Sequence, residues 1–193
     1  KQDQAKYVKT LDWGVRLVLL LGIASMCGII ALREPILRVI FMRGAFTAEH
    51  VLLSSASLLA SVSGLCAIML VRVIVQGFAA IQDTKTPVRC SITAICSNII
   101  LIWPLGYVGL ALSTALAAYV NISLLIYFLK KRNIYTISKQ TLLFILKVLF
   151  AGFIMATVIF MIRPEFESWI AMSTIEATFY LALLVVAGGI VFT

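Results

Sequence analysis

The chain has 193 residues, of which 62% are hydrophobic and only 12% charged, and its mean hydropathy is +1.08. A water-soluble domain carries far more charge, so this composition excludes that class and places the chain in a bilayer. The formal net charge of +8 sits in basic clusters between apolar runs rather than along one polar face, which reads as a topology signal and argues against nucleic acid as a partner.

The opening KQDQAKYVKTLDWG is polar and amphipathic, with neither an initiator Met nor a signal-peptide pattern, and the last residue falls within the apolar run LALLVVAGGIVFT. The expectation is the C-terminal part of a longer protein, with residues 1–12 a cytoplasmic linker or helix start. A mostly apolar stretch of roughly 18 residues crosses a ~30 Å hydrocarbon core. Six such stretches follow, so the fold class is all-α, a polytopic bundle of about six transmembrane helices.

The first span covers about residues 13–32 and leads into REPILRVIFMRG, where Arg33, Arg38 and Arg43 alternate with Ile and Leu. That piece is expected to lie at the membrane interface. The second span, about residues 50–80, is long enough to tilt or to project into water. Its Ser57, Ser61 and Gly64 recur on one face, as do Ala111, Ala115 and Ala118 later, a spacing that lets helices approach closely.

GFAAIQDTKTPVR, residues 77–89, interrupts the apolar pattern as a short polar turn. Asp83 and Thr84 are placed to cap the third helix, and Pro87 stands in its first turn, where a missing N–H does no harm. The third span runs to about residue 103; Pro104, Gly106 and Gly109 then turn the chain into a fourth, about residues 108–129. The basic KKRNIYTISK precedes a fifth, about residues 141–162, and RPEFES precedes a sixth that begins near Trp169 and is cut short by the end of the chain.

Orientation follows the Lys and Arg of short loops. Lys1, Lys6, Lys9, Arg16, Lys85, Arg89, Lys130, Lys131, Arg132, Lys139 and Lys147 fall on one side, against Arg33, Arg38, Arg43 and Arg163 on the other. The first side is therefore expected to be cytoplasmic.

Few residues within the spans could carry chemistry. Arg72 lies ~13 Å along its helix from the polar turn, deep enough that it either snorkels to the headgroups or faces a hydrated cavity. Gln76 stands one turn further on, so Arg72 and Gln76 are the candidate cavity residues. Asn98 and Asn121 are expected to bond to neighbouring helices, and His50 to serve the start of the second span. Cys27, Cys66, Cys90 and Cys96 lack metal-ligand spacing and read as buried thiols. The acids are scattered singly over the loops, without the clustered carboxylates of a metal-dependent enzyme on lipid diphosphates. Neither an enzyme, a cofactor nor a metal is expected.

MRGAFTAEH at residues 42–50, VRVIVQGFAAIQDTKTPV at 71–88, GYVGLALSTALAAYVN at 106–121 and the following LKKRNIY resemble, in order and at fitting separations, signatures of the C-terminal half of the MurJ/MviN lipid II flippases. Where that family usually has Arg before the QD pair this chain has Ile81, and where it often has Lys this chain has Arg72. The resemblance implies a transporter of the multidrug/oligosaccharidyl-lipid/polysaccharide exporter superfamily, with fourteen helices in two six-helix lobes plus two more at the C-terminus. Residues 13–135 would then hold four spans of the second lobe and the interfacial piece, and residues 136–193 the two additional helices.

It further implies a multi-pass protein of the bacterial inner membrane that moves the undecaprenyl-diphosphate-linked peptidoglycan precursor across by alternating access, without covalent catalysis. Its partners would be that precursor, membrane lipids and the missing N-terminal lobe, whose helices carry most of the family's cavity arginines. Another exporter of the superfamily, for drugs or polysaccharide lipids, and a non-transporting scaffold for cell-wall enzymes are the alternatives.

Overall fold

The computed structural model of the protein describes residues 2–41, 47–102, 106–132, 138–164, 169 and 172–192. Its elements are helices α1 (Gln2–Phe41), α2 (Ala48–Ser63), α3 (Leu65–Ala80), α4 (Lys85–Ile102), α5 (Gly106–Lys131), α6 (Lys139–Ile162) and α7 (Thr174–Phe192). Among the described residues, five helical stretches are long and apolar enough to cross a membrane: Lys6–Phe41, Glu49–Ala80, Ala111–Lys131, Lys139–Ile162 and Ile175–Phe192. The third of the six expected spans is α4, an 18-residue helix. Arg43, the Pro104 turn, Glu165 and the NIYTI portion of the basic loop lie outside the described residues.

The piece after residue 32 continues α1 without a break as far as Phe41, with Pro35 inside the helix. Pro35 has no N–H, so the carbonyl of Ala31 loses its helical partner. Arg163, at the end of α6, replaces it: Nη1 donates to Ala31 O at 3.2 Å. The same guanidinium lies 3.4 Å from the Glu34 carboxylate, which also meets Arg33 at 3.2 Å. Arg38 is only 7% exposed and donates to the carbonyl of Met172 just before α7. Arg33 and Arg38 are thus held by protein; Arg163 ties α1 to α6, and Arg38 ties it to the segment before α7.

The long second stretch breaks at Gly64. There α2 and α3 meet in a single turn, and an added Cβ would stand 2.6 Å from Ala115 Cα of α5. Its φ of −87° suits any residue, so the glycine answers to close approach and not to backbone freedom. Tyr119 of α5 donates its hydroxyl to Ser63 O at 2.6 Å, a carbonyl next to the break. The small-residue faces read from the sequence therefore meet at Gly64 and Ala115.

α1 packs against α2, α3, α6 and α7, whereas α5 packs against α2, α3 and α4. One apolar core joins Leu11, Ile74, Phe78, Cys90, Leu125 and Leu129; another joins Leu32, Met155, Ile159, Trp169, Ala177 and Leu184. Trp169 precedes α7 and packs edge-on against Tyr180. Around these cores the outward faces are apolar, as at Phe150, Phe153, Phe179 and Ile190, all exposed. A bundle in lipid needs no polar exterior at these depths.

Polar contacts gather at the two ends. Tyr7 donates to Gly77 O at 2.9 Å. Asp12 and Arg16 form an ion pair at 2.7 Å and enclose the fully buried Thr141 of α6, which donates to Asp12 Oδ1 at 2.7 Å and accepts from Arg16 Nε at 3.0 Å. Together with the Asp83 turn described below, these bonds bring the start of α1, the 81–84 turn, the end of α5 and the start of α6 to one end of the bundle. The described basic residues grouped by charge counting cluster there, and Arg33, Arg38 and Arg163 at the other.

Gly64→Ala is expected to lower the stability of the purified protein by about 1–3 kcal/mol, the usual cost of overpacking, because backbone of α5 blocks the new methyl. Thermal unfolding in detergent measures it, and a variant as stable as the parent would mean that the α2–α3 break tolerates separation from α5.

Candidate functional site: a polar cavity between three helices

A cavity of about 370 Å³ opens between α3, α4 and α5, lined by Arg72, Ser91, Asn98, Thr114 and Asn121 among Ile68, Val71, Ala94, Ile95, Ala117 and Ala118. Each polar wall residue comes from a segment that its own helix places within or beside a membrane span. Arg72 is exposed, and among the described residues no carboxylate or hydrogen-bond acceptor engages it. A cation in such a segment costs roughly 2.5–3.5 kcal/mol on insertion scales unless water or a ligand meets it. Facing a polar cavity supplies that surrounding.

The two asparagines were expected to be consumed by helix–helix bonds. Asn121 does link α5 to α4, Nδ2 donating to Ser91 Oγ at 3.4 Å. Yet the Oδ1 atoms of both Asn98 and Asn121 are buried without a hydrogen-bond partner. Both residues also line the cavity with Arg72. Their polar character in an apolar helix was the available sequence signal; that they share one cavity with Arg72 depends on how α3, α4 and α5 pack.

Gln76 is separated from this group. It lines a smaller groove of about 220 Å³ between α1 and α3, with Tyr7, Thr10, Leu11, Val73, Gly77 and Ala80. One helical turn places Arg72 and Gln76 near one another, but α1 covers the side of α3 that Gln76 borders. Arg72 and Gln76 thus line two different cavities, one on each side of α3.

The turn that closes α3 and opens α4 is held by side chains at both edges. Asp83 N donates to Phe78 O at 3.1 Å and Gln82 N to Ala79 O at 2.9 Å, a Schellman closure with Gln82 at φ 58°. Asp83 Oδ1 then accepts from Thr86 N at 3.2 Å, and Oδ2 from Thr86 Oγ1 at 2.7 Å. Thr84 makes no side-chain hydrogen bond among the described residues, and Pro87 is buried in the first turn of α4. Arg132, just past α5, completes the node: it pairs with Asp83 Oδ2 and donates to Thr86 Oγ1 at 3.1 Å. Sequence reading assigned Arg132 to topology alone, since nothing local marks a partner 49 positions away.

A second, apolar cavity of about 350 Å³ lies between α1, α6 and α7, bordered by Gly28, Leu32, Met155, Gly188, Gly189 and Phe192 among others. Gly28 and Gly188 face Met155 and Ile159 of α6, respectively. The polar and the apolar cavity thus lie on opposite sides of the fold, separated by α1 and α3.

These features define a multi-pass helical membrane protein with an open cavity between α3, α4 and α5 whose mostly apolar wall carries Arg72. The family model described as lipid II flippase MurJ matches residues 1–180, and the chain belongs to that family of the bacterial inner membrane. It is similar to a probable lipid II flippase MurJ of Haemophilus influenzae, 39% identical over 197 residues covering 98% of this chain and 39% of the relative. It is likewise similar to one of Vibrio cholerae, 40% identical over 169 residues covering 86% and 32%. A solved lipid II flippase MurJ in an inward closed conformation superposes with a TM-score of 0.82 at 26% identity, over 99% of this chain and 38% of that one. The chain spans about two fifths of the length of the first of these curated relatives.

The turn yields a pH test. The bonds from Thr86, and after them the Arg132 guanidinium, hold the Asp83 carboxyl below the ordinary carboxylate range. A carboxylate with a depressed folded-state pKa contributes stability above its unfolded pKa, and loses it as pH falls through the folded value. Asp83→Asn should therefore melt at lower temperature than the parent at pH 7, and the gap should close in acid. A gap unchanged between neutral and acid pH would show that the charge of Asp83 does not hold the turn.

Proposed function

We propose that this chain is the C-terminal half of a lipid II flippase, its spans corresponding to the ninth to fourteenth helices of a fourteen-helix exporter. On this reading the preceding lobe completes the protein, and rocking of one lobe against the other moves the undecaprenyl-diphosphate-linked peptidoglycan precursor across the membrane. No bond of the precursor is made or broken, so the chain acts without covalent catalysis. The end gathering Lys85, Lys130 and Lys131 faces the cytoplasm, following the excess of cations there.

The observation that carries the reading is Arg72, an exposed guanidinium on the wall of the cavity between α3, α4 and α5 that no acceptor among the described residues engages. A diphosphate is a strong acceptor whose charge must be neutralised away from bulk water, and a guanidinium meets phosphate oxygens with two parallel donors. The apolar cavity beside α6 and α7 supports a separate path for the polyprenyl tail, since its walls present almost only hydrocarbon. Headgroup and tail would then travel on different sides of α1 and α3.

The test is complementation of a strain depleted of its own flippase, by the complete polypeptide carrying changes at residue 72. Arg72→Ala should reduce growth at normal membrane abundance, while Arg72→Lys should retain much of it, because a point charge still neutralises phosphate. Full growth with Ala at normal abundance would remove Arg72 from the transport path. Loss of abundance in both variants would assign it to holding the bundle together.

A further inference from the structure

Helices α3 and α4 are joined by the short turn at residues 81–84, a connection that ordinarily lays two antiparallel helices against one another. Among the described residues they scarcely touch, and each packs on α5 instead. The cavity of Arg72 is therefore a cleft, with α5 at its base and α3 and α4 as its sides. Its floor is buried, with Ala94 5% and Ala117 8% exposed, whereas Ile95 on the α4 rim is 59% exposed. Arg72, on the α3 rim, is exposed as well.

A cleft of this shape inside a membrane needs a cover. Protein interiors are close-packed, and a cation on the rim is costly when hydrocarbon lies against it. An acyl chain would add bulk but no shelter for the guanidinium. A helix gives both, and the floor suits one: Ala94, Ala117 and Ala118 present small side chains, the surface that lets membrane helices approach closely. Polypeptide enough for such a helix lies outside this chain, which covers 39% and 32% of the Haemophilus and Vibrio relatives.

We propose that a transmembrane helix of the lobe preceding residue 1 lies across the mouth of this cleft, between the Arg72 rim and the Ile95 rim, and closes it from the membrane. The proposal rests on the reading of the chain as the second part of a flippase, and it deepens that reading by naming what seals the headgroup path on this side. The helix meets Ile68, Val71 and Ile95 with an apolar face, at the usual interaxial distance of roughly 8–10 Å. Arg72 is left on the inner side, facing an enclosed space instead of hydrocarbon. Enclosure also strengthens its attraction for phosphate, because less solvent screens the pair.

The test is photo-crosslinking in the complete polypeptide in its native membrane. A benzophenone amino acid replaces Ile95 on one wall, Val71 on the facing wall, or Phe153, an exposed residue of α6 away from the cleft, and adducts are mapped by peptide mass spectrometry. Positions 95 and 71 should both join to one peptide upstream of residue 1, while position 153 gives lipid adducts and no peptide. Lipid adducts alone at 95 and 71 would overturn the proposal. So would a crosslinked dimer, which would give the mouth to a second copy of the chain.

A benzophenone is bulky, so Ile95→Cys and Phe153→Cys are also made in a variant whose four cysteines are replaced by alanine. A nitroxide attached at 95 should collide with dissolved oxygen much less often than one at 153. Equal collision at the two positions means that lipid reaches the cleft, and it overturns the proposal even where the benzophenone variants do not accumulate. The growth of the residue-72 variants is read separately. Upstream adducts with full growth of Arg72→Ala would keep the covering helix and remove the phosphate role; lipid adducts with impaired growth of Arg72→Ala would do the reverse.

Discussion

In lipid no water is at hand to meet a polar atom, so each such atom must find a protein partner or face a cavity. The bundle is organised by that requirement at α1. Pro35 opens a gap in its hydrogen-bond ladder, and the closing donor comes from Arg163 at the far end of α6. Near the other end, Asp12 and Arg16 enclose Thr141 at the beginning of α6. The two polar nodes bracket α6, and Gly152 lets it lie close against Cys27 and Ile23 between them. Because α1 also packs on α2 and α3, the C-terminal helices are joined to the rest of the fold through this single long helix.

The second organising element, α5, works differently. It has no ion pair along its buried length; Ala115, beside the Gly64 break, lets α2 and α3 approach, and Tyr119 meets the carbonyl next to that break. At its end Arg132 grips Asp83 and Thr86, so the turn between α3 and α4 cannot shift without carrying the end of α5. The three helices that wall the polar cavity are therefore tied at the turn end and drawn together near Gly64. The cavity lies between those two points, where Arg72, Asn98 and Asn121 take the place of close packing.

How much of this was legible follows from the range of each signal. Apolar runs long enough to span a bilayer are local, and α4, α5 and α6 begin and end close to where those runs predict, whereas α1 extends about ten residues beyond its run at each end. The Asp83 cap and Pro87 in the first turn of α4 are local as well. The partners of the REPILR segment were not legible, because charge periodicity does not reveal contacts with other elements; Glu34 is adjacent, but Arg163 and Met172 are more than 120 positions away. Gln76 illustrates the converse. Its spacing from Arg72 is right for one face, yet the face is divided by α1, whose position no helical wheel of α3 contains.

The same logic explains why the asparagines were undervalued. An amide in an apolar helix has two ends, and a sequence allows both to be spent on neighbouring helices, which is the usual arrangement. Here Ser91 takes only the nitrogen of Asn121, and the residues Asn121 and Asn98 line the space that Arg72 also lines. Had that space been filled by an apolar side chain, Arg72 would carry a desolvation cost with nothing in return. The small side chains Ala94, Ala117 and Ala118 on the intervening wall keep it open. They do so on the two helices that supply the asparagines, so the room beside Arg72 is encoded on α4 and α5.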